Sequence, residues 1–315
     1  MAEIITVTPN PAVDLSTSVE TVIPTLKLRG TSQRRDPGGG GINVARVIKR
    51  LGGEACAVYP VGGAIGRLLR ELLDREDVAS RTFAIAAETR ENFYAGEAST
   101  GRQYRFILPG PRLSEGEWRQ CLELISSIEP FPRFVVASGS LPPGIPDDFY
   151  ARLARIAKRR GAATIVDTSG AALAAAVEEG VDLIKPNLSE MRELSGSDPS
   201  DAGEWEEAAR MVVRTRRIPA IALTMGHLGA TLVTADRVLH AKPLAITPRS
   251  ATGAGDSFLA ALVWQLSLGA DLQACFRQAV AAGAAALLNP GTELCRPQDV
   301  KRLAEQAIIE EARPG

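Results

Sequence analysis

Ser250-Ala251-Thr252-Gly253-Ala254-Gly255-Asp256-Ser257 runs without a break into an apolar segment from Phe258 to Leu268. Glycines one residue apart let the backbone approach a ligand closely, and a helix starting directly after them leaves its first N–H groups unpaired. Such a terminus is an anion site. Asp256 would repel a phosphate bound there, which gives it a place only if it does chemistry. A base that takes a proton from an attacking hydroxyl, while the N–H groups hold the charge on the transferring phosphoryl, fits that requirement. An acidic first-turn residue favoured by the helix dipole is the structural alternative, and the octapeptide alone does not separate the two.

The 315 residues suffice for one large α/β core, with or without a small appended element. Hydrophobic content is 45%, with no long uncharged apolar run and no basic-then-apolar N-terminus, so a soluble, cytoplasmic chain without membrane contact is expected. A net charge of −1 gives no general attraction to nucleic acid, and phosphate recognition must come from local arginines and lysines. Cys56, Cys121, Cys275 and Cys295 are scattered, with only His227 and His240 to join them as ligands; reduced, buried thiols are expected rather than a zinc site or disulfides.

Ile4–Thr8 reads as a strand closed by Pro9-Asn10-Pro11, and Asp14 follows at its carboxyl end, where it can accept hydrogen bonds from a polyol or simply make a turn. Residues 15–35 form a short-patterned, Thr/Val-rich stretch carrying Lys27, Arg29, Arg34 and Arg35, expected as exposed strands. Gly38-Gly39-Gly40-Gly41 precedes a helix from Ile42 to Ile48 and marks close approach of ligand to backbone. A dinucleotide fingerprint needs glycine or alanine where Val44 stands, and no Gly-Lys pair exists for a Walker A loop. Residues 89–108 alternate around Ser99-Thr100-Gly101 as a hairpin carrying Arg90 and Arg105; two converging arginines would suit a phosphate ester, although exposed strand arginines are commonly just solvated.

From residue 114 onward, helix and strand patterns alternate, as in a parallel sheet wrapped by helices. Strands are expected at 134–137, 164–166, 183–184 and 221–223, each ending in polar residues: Ser138-Gly139-Ser140, Asp167-Thr168-Ser169, Lys185-Pro186-Asn187 and Thr224-Met225-Gly226. A doubly wound sheet keeps its site at such ends. Asn187 and Glu190 have the spacing of a Mg²⁺ pair and equally that of a helix capping box. The loop from Thr224 to Gly229 suits either a phosphate contact or a hairpin into 231–234.

Together these strings resemble the ribokinase-like sugar kinases of the phosphofructokinase B type, over essentially the full chain. Thr252–Ser257 matches the family's C-terminal signature and Gly38–Ala45 its N-terminal one; Thr8–Asp14, Gln103–Phe106, Ser138–Gly144 and Lys185–Asn187 are similar to the branch acting on phosphorylated sugars. Relatives acting on fructose 1-phosphate or tagatose 6-phosphate typically carry a lysine within the glycine run. Gly40 stands there, which favours fructose 6-phosphate phosphorylated at its 1-hydroxyl.

The resemblance implies an α/β core of residues 1–12, 36–88 and 109–315, with a β-sheet lid of 13–35 and 89–108 through which the chain forms a homodimer. It implies Asp256 as base, with Gly253, Ala254 and Gly255 as anion hole. Asp14, Gly39, Gly40, Gly41, Asn43 and Ser140 would hold the sugar, and Arg90, Arg105, Lys27 and Arg29 its phosphate, the last two across the dimer. ATP would lie along Lys185, Asn187, Thr224, Gly226 and Gly229, with adenine near Val280, Gly283 and Asn289. Mg²⁺ would sit by Asn187 and Glu190, and K⁺ by the carbonyls of Ser250, Thr252, Ala286, Asn289 and Gly291. A non-catalytic sugar-phosphate sensor is the alternative of another class, disfavoured because a binder needs no base. A nucleoside kinase of the same fold is disfavoured by the lid arginines and the 5% aromatic content.

Overall fold

The computed structural model describes residues 3–312. In chain order the first half contains β1 (Ile4–Val7), β2 (Ala12–Val19), β3 (Arg34–Gly38), α1 (Gly40–Arg50), β4 (Ala55–Val61), α2 (Gly63–Arg75), β5 (Ala79–Ala84), β6 (Arg90–Glu97) and β7 (Gln103–Phe106). Then come α3 (Glu115–Ser126), β8 (Phe134–Ser138), α4 (Phe149–Arg159), β9 (Ala163–Asp167), α5 (Gly170–Glu179), β10 (Leu183–Ile184), α6 (Leu188–Ser195) and α7 (Ala202–Arg216). The chain closes with β11 (Ala220–Thr224), β12 (Ala230–Thr234), β13 (Val238–Ala241), α8 (Ala254–Ser267), α9 (Leu272–Leu287), α10 (Pro297–Gln306) and β14 (Ile309–Ala312).

The main sheet has ten strands in the order β14-β13-β12-β11-β10-β9-β8-β1-β4-β5. From β11 to β5 every pairing is parallel, and the β11–β12, β12–β13 and β13–β14 pairings are antiparallel. A parallel sheet must be covered on both faces, and its strands are accordingly near-continuous apolar runs: all four residues of β1 are buried. One face packs on α1, α2, α8, α9 and α10, and the other on α3 to α7. The strand order reverses between β1 and β8, since β1 is followed outward by β4 and β5 while β8 leads the other way. That reversal opens a crevice beyond the carboxyl ends of both strands.

A separate four-stranded sheet, β3-β2-β6-β7, stands over this crevice. β2 runs parallel to β6, and β3 and β7 flank them antiparallel. The hairpin expected in 89–108 is present as β6 and β7. Its partner strands are wider apart than the Thr/Val pattern suggested, because residues 20–33 between β2 and β3 form an exposed connection with no strand. Among the described residues, no helix is long and apolar enough to cross a membrane.

Candidate active site

The glycines around α8 have a steric reason. Gly253, at its N-cap, adopts the left-handed φ of +72°, which a side chain resists, and a Cβ there would lie 2.6 Å from Leu294 Cδ2. The helix's first hydrogen bond runs from Ser257 N to Gly253 O at 2.9 Å, so the N–H groups of Ala254, Gly255 and Asp256 have no intrahelical partner. Unpaired N–H groups at a helix N-terminus suit an anion, and the Asp256 carboxyl stands among them.

Asp256 faces a cavity of ≈ 340 Å³ at the β1/β8 crevice. Asn43 Nδ2 donates to Asp256 Oδ2 at 2.8 Å, which joins the two glycine-flanked helices α1 and α8 at this point. Burial, with the neighbouring charge of Asp167, pushes the Asp256 carboxyl up to about 6 despite the Asn43 hydrogen bond. Its surface stays partly open to the cavity, as a proton acceptor requires. Asp14 is buried on β2 and accepts from Asn92 Nδ2 at 2.8 Å; burial raises it also to about 6.

Of the residues singled out in the sequence, Asp14, Gly39, Gly40, Asn43, Arg90, Ser140, Glu190, Thr252 and Asp256 line this cavity. A Cβ at Gly40 would collide with Ser138 Oγ, so a larger residue does not fit there without displacing the end of β8. Gly41 is buried beneath, where a Cβ would lie 2.6 Å from Thr8 Oγ1. Asn10 Nδ2 donates to Ser140 Oγ at 3.1 Å across the crevice. Arg90 spends two donors on backbone, Nη1 on Leu108 O and Nη2 on Asn10 O at 3.0 Å each, while its buried Nε has no partner. Burial lowers its pKa. Arg105 lies outside the cavity lining, exposed on β7, in register with Tyr94, which does line it. Lys27 and Arg29 are exposed on the β2–β3 connection, away from the cavity lining.

Lys185 sits under α8, with Nζ 3.1 Å from Asp167 Oδ1 and 3.2 Å from where a Cβ on Gly255 would lie. Burial works against its charge, but Asp167, Glu190 and Asp256 outweigh this and hold the ammonium above its ordinary value. Asn187 and Glu190 form a full capping box for α6: Glu190 N donates to Asn187 Oδ1 at 3.0 Å, and Asn187 N to Glu190 Oε2 at 2.8 Å. Thr224 bridges to Asn187 from the end of β11, and Gly226 opens the 3-10 turn over 226–228 that leads through Gly229 into the β11–β12 hairpin. The hairpin anticipated for that loop is therefore present.

Val280 and Gly283 lie on α9, with a Cβ at Gly283 3.3 Å from Phe258 Cβ. The Asn289 side chain is turned inward, its Nδ2 donating to Ala285 O and Leu294 O at 3.3 and 3.1 Å. Ser250 Oγ donates to Gly291 O at 2.7 Å, the Ala286 carbonyl accepts from Asn289 N at 3.1 Å, and Thr252 Oγ1 is buried without a partner. Among the described residues no cluster of three or more His, Cys, Asp or Glu is arranged for a metal. The cavity itself is crowded with carboxylates, however: Asp14, Asp167, Glu190 and Asp256 line it against the single guanidinium of Arg90. A polyphosphate entering such a space needs added positive charge, and the carboxylate oxygens there are of the kind Mg²⁺ takes.

Asn92, Tyr94, Ser138 and the run Asp167-Thr168-Ser169 also line the cavity without having been assigned a role from sequence. The polar end of β9 was a usable signal. Asn92 and Tyr94 were not separable from other alternating residues of a hairpin until its pairing with β2 placed Asn92 opposite Asp14.

A doubly wound sheet whose crevice holds a carboxylate at an open helix N-terminus has the arrangement that phosphoryl transfer to a small molecule needs. The sequence matches the pfkB family carbohydrate kinases over residues 9–299, and the chain belongs to that family. Over 304 residues it is 44% identical to the ATP-dependent 6-phosphofructokinase isozyme 2 of Mycobacterium tuberculosis, covering 96% of this chain and 89% of the relative. Phosphofructokinase-2 from Escherichia coli superposes with a TM-score of 0.92 in complex with potassium, at 38% identity and covering 97% of this chain and 99% of that one. Its complex with fructose-6-phosphate gives 0.91 at 37% identity, with coverage of 97% and 99%. A third structure of it, a tetrameric inhibited form, gives 0.90 at 37% identity, with the same coverage of 97% and 99%. Membership of a carbohydrate-kinase family makes ATP the phosphoryl donor and a sugar hydroxyl the acceptor.

Proposed function

We propose that this protein transfers the γ-phosphoryl group of ATP to the 1-hydroxyl of fructose 6-phosphate. The observation that carries the reading is the Asp256 carboxylate, held by Asn43 at the cavity floor and set among the free N–H groups of α8. Asp256 takes the proton from the hydroxyl as the sugar oxygen bonds to phosphorus and the bond to the ADP oxygen breaks. The N–H groups of Ala254, Gly255 and Asp256, behind the Gly253 turn, hold the charge on the group in flight. Asp14, the Gly39–Asn43 turn and Ser140 receive the sugar. Its existing phosphate lies toward Arg90, whose buried Nε is otherwise unpaired, and Arg105, with Lys27 and Arg29 contributed by a second copy.

ATP lies along Lys185, Asn187, Thr224, Gly226 and Gly229, with adenine toward Val280 and Gly283. Mg²⁺, when bound beside Asn187 and Glu190, offsets phosphate charge. The carbonyls of Ser250, Thr252, Ala286 and Gly291 are the candidate K⁺ ligands, and the orphaned Thr252 hydroxyl is a further oxygen in that loop. Residues 13–35 and 89–108 act as a lid over the core.

The test is MgATP-dependent ADP release with fructose 6-phosphate, fructose 1-phosphate, tagatose 6-phosphate and free fructose, in parallel with Asp256→Asn. Preference for fructose 6-phosphate, and a fall in kcat of about 10²–10⁴-fold in the variant, are expected. Preference for another acceptor overturns the substrate, and near-normal turnover by Asp256→Asn overturns the base. Binding without turnover leaves a sensor.

A further inference from the structure

Arg46, midway along α1, is 1% exposed, and arginines are rarely sealed so completely without full pairing. One edge of its guanidinium grips Glu76 as a fork, Nε to Oε2 at 2.9 Å and Nη2 to Oε1 at 2.6 Å. The other edge points toward the catalytic crevice. There Nη1 donates to Pro37 O at 2.8 Å and to Asn43 Oδ1 at 3.2 Å. Asn43 stands three residues earlier on the same helix face, and its Nδ2 is the donor to Asp256. A continuous line of hydrogen bonds therefore runs Glu76, Arg46, Asn43, Asp256.

The end of this line has a chemical consequence. A carboxamide has nearly the same shape either way round, so packing alone does not choose which end faces Asp256. Arginine carries donors only, so the Asn43 atom that meets it must be the carbonyl oxygen. With Oδ1 claimed in this way, the NH₂ group is the end turned to the base. The reverse orientation would set a carbonyl oxygen against a carboxylate and a donor against a guanidinium. A salt bridge that only tied α1 to the end of α2 would use the Glu76 edge alone; the Nη1 edge adds the control of Asn43.

We propose that Arg46, anchored by Glu76, is a positioning residue for phosphoryl transfer, fixing the Asn43 amide in the one orientation that holds Asp256 on its target hydroxyl. This rests on the reading of Asp256 as the base. Arg46 lies outside the cavity lining, so its replacement reaches the site through Asn43: it acts on the chemical step and, since Asn43 also receives the sugar, on the KM for fructose 6-phosphate, but not on the KM for ATP.

A double-mutant cycle on the full chain tests it, with MgATP and fructose 6-phosphate as substrates and Arg46→Lys, Asn43→Ala and the double variant compared. Arg46→Lys is expected to lower kcat by about 10–100-fold with the KM for ATP nearly unchanged. In the Asn43→Ala background the same replacement should cost less than about twofold, because its route to the base is already cut. A kcat within twofold of the parent, or a loss that multiplies fully with that of Asn43→Ala, overturns the proposal. A rise in KM without a fall in kcat does the same. Should Arg46→Lys fail to fold, Glu76→Gln is put through the same cycle, since it frees the anchor while leaving Arg46 in place. Asp256→Asn is assayed alongside: near-normal turnover there refutes the base, whereas the Arg46/Asn43 coupling reports on Arg46 whichever way that falls.

Discussion

Asp14 and Asp256 are held at about 6 by burial, well above an ordinary aspartate at 3.8. For catalysis this places the base near working pH, and kcat/KM is expected to fall below about pH 6 as Asp256 takes up its proton. For stability the sign is the reverse of the salt-bridged case. Between pH 3.8 and about 6 the folded chain binds more protons than the unfolded one at these sites, so stability declines as pH rises through that window. Above it each carboxylate costs up to ~3 kcal/mol by the pKa difference. Asp14→Asn should therefore raise Tm at pH 7.5 by roughly 2–4 °C, give no gain below pH 4, and lose sugar affinity. A Tm that is unchanged or lowered at pH 7.5, read by calorimetry, would show that Asp14 is not destabilised there. Asp256 and Asn43 were legible in the sequence because each sits in a glycine-marked turn. Asn92, which holds Asp14, was not, because a hydrogen bond between strands leaves no local pattern; nor was Arg46, which stands beside Asn43 on α1 but takes its anchor from Glu76, a residue 30 positions away.

At the scale of elements, the capping box at the start of α6 serves two demands with one pair of side chains. Glu190 both completes the cap and lines the cavity, and its carboxyl is raised above the ordinary value by burial, with Asp167 adding to this. Glu190→Gln separates the roles, because glutamine's carbonyl oxygen can still accept from Asn187 N while the charge is gone. Thermal stability is expected to shift by less than about 1 kcal/mol, and the Mg²⁺ concentration for half-maximal activity to rise several-fold. If that concentration is unmoved, Glu190 is a cap only. Sequence spacing could not decide this, since both roles use an Asn and a Glu three residues apart. The alternation of helix and strand from residue 114 was legible for the same reason the capping box was: it is local. β5, β13, β14 and α10 escaped because they are short or weakly apolar and owe their order to neighbours, with Leu239 facing Glu311 and His240 facing Glu310 across β13 and β14.

For the whole molecule, the lid sheet poses a problem that one chain leaves unsolved. Its inner face carries Asp14, Asn92 and Tyr94 to the cavity. On the outer face Phe93 and Phe106 pair with ring centroids 5.9 Å apart while remaining 37% and 53% exposed. Leu26 and Leu28, on the β2–β3 connection, are 62% and 43% exposed. These side chains leave apolar surface exposed on the lid, and the pairing proposed above with the lid of a second copy would cover it. The same pairing would give Lys27 and Arg29 a site to act on, since within one chain they lie away from the cavity lining. Phe106→Glu places a charge in the middle of that surface and should turn a dimer at micromolar concentration into a monomer by sedimentation velocity. The KM for the sugar phosphate should rise, by about tenfold or more, if each lost phosphate contact contributes 1.5–3 kcal/mol, with kcat at saturation far less affected. A parent that sediments as a monomer, or a variant that stays dimeric, removes lid pairing. A monomeric variant with the parent's KM leaves the dimer standing and takes Lys27 and Arg29 out of the phosphate site.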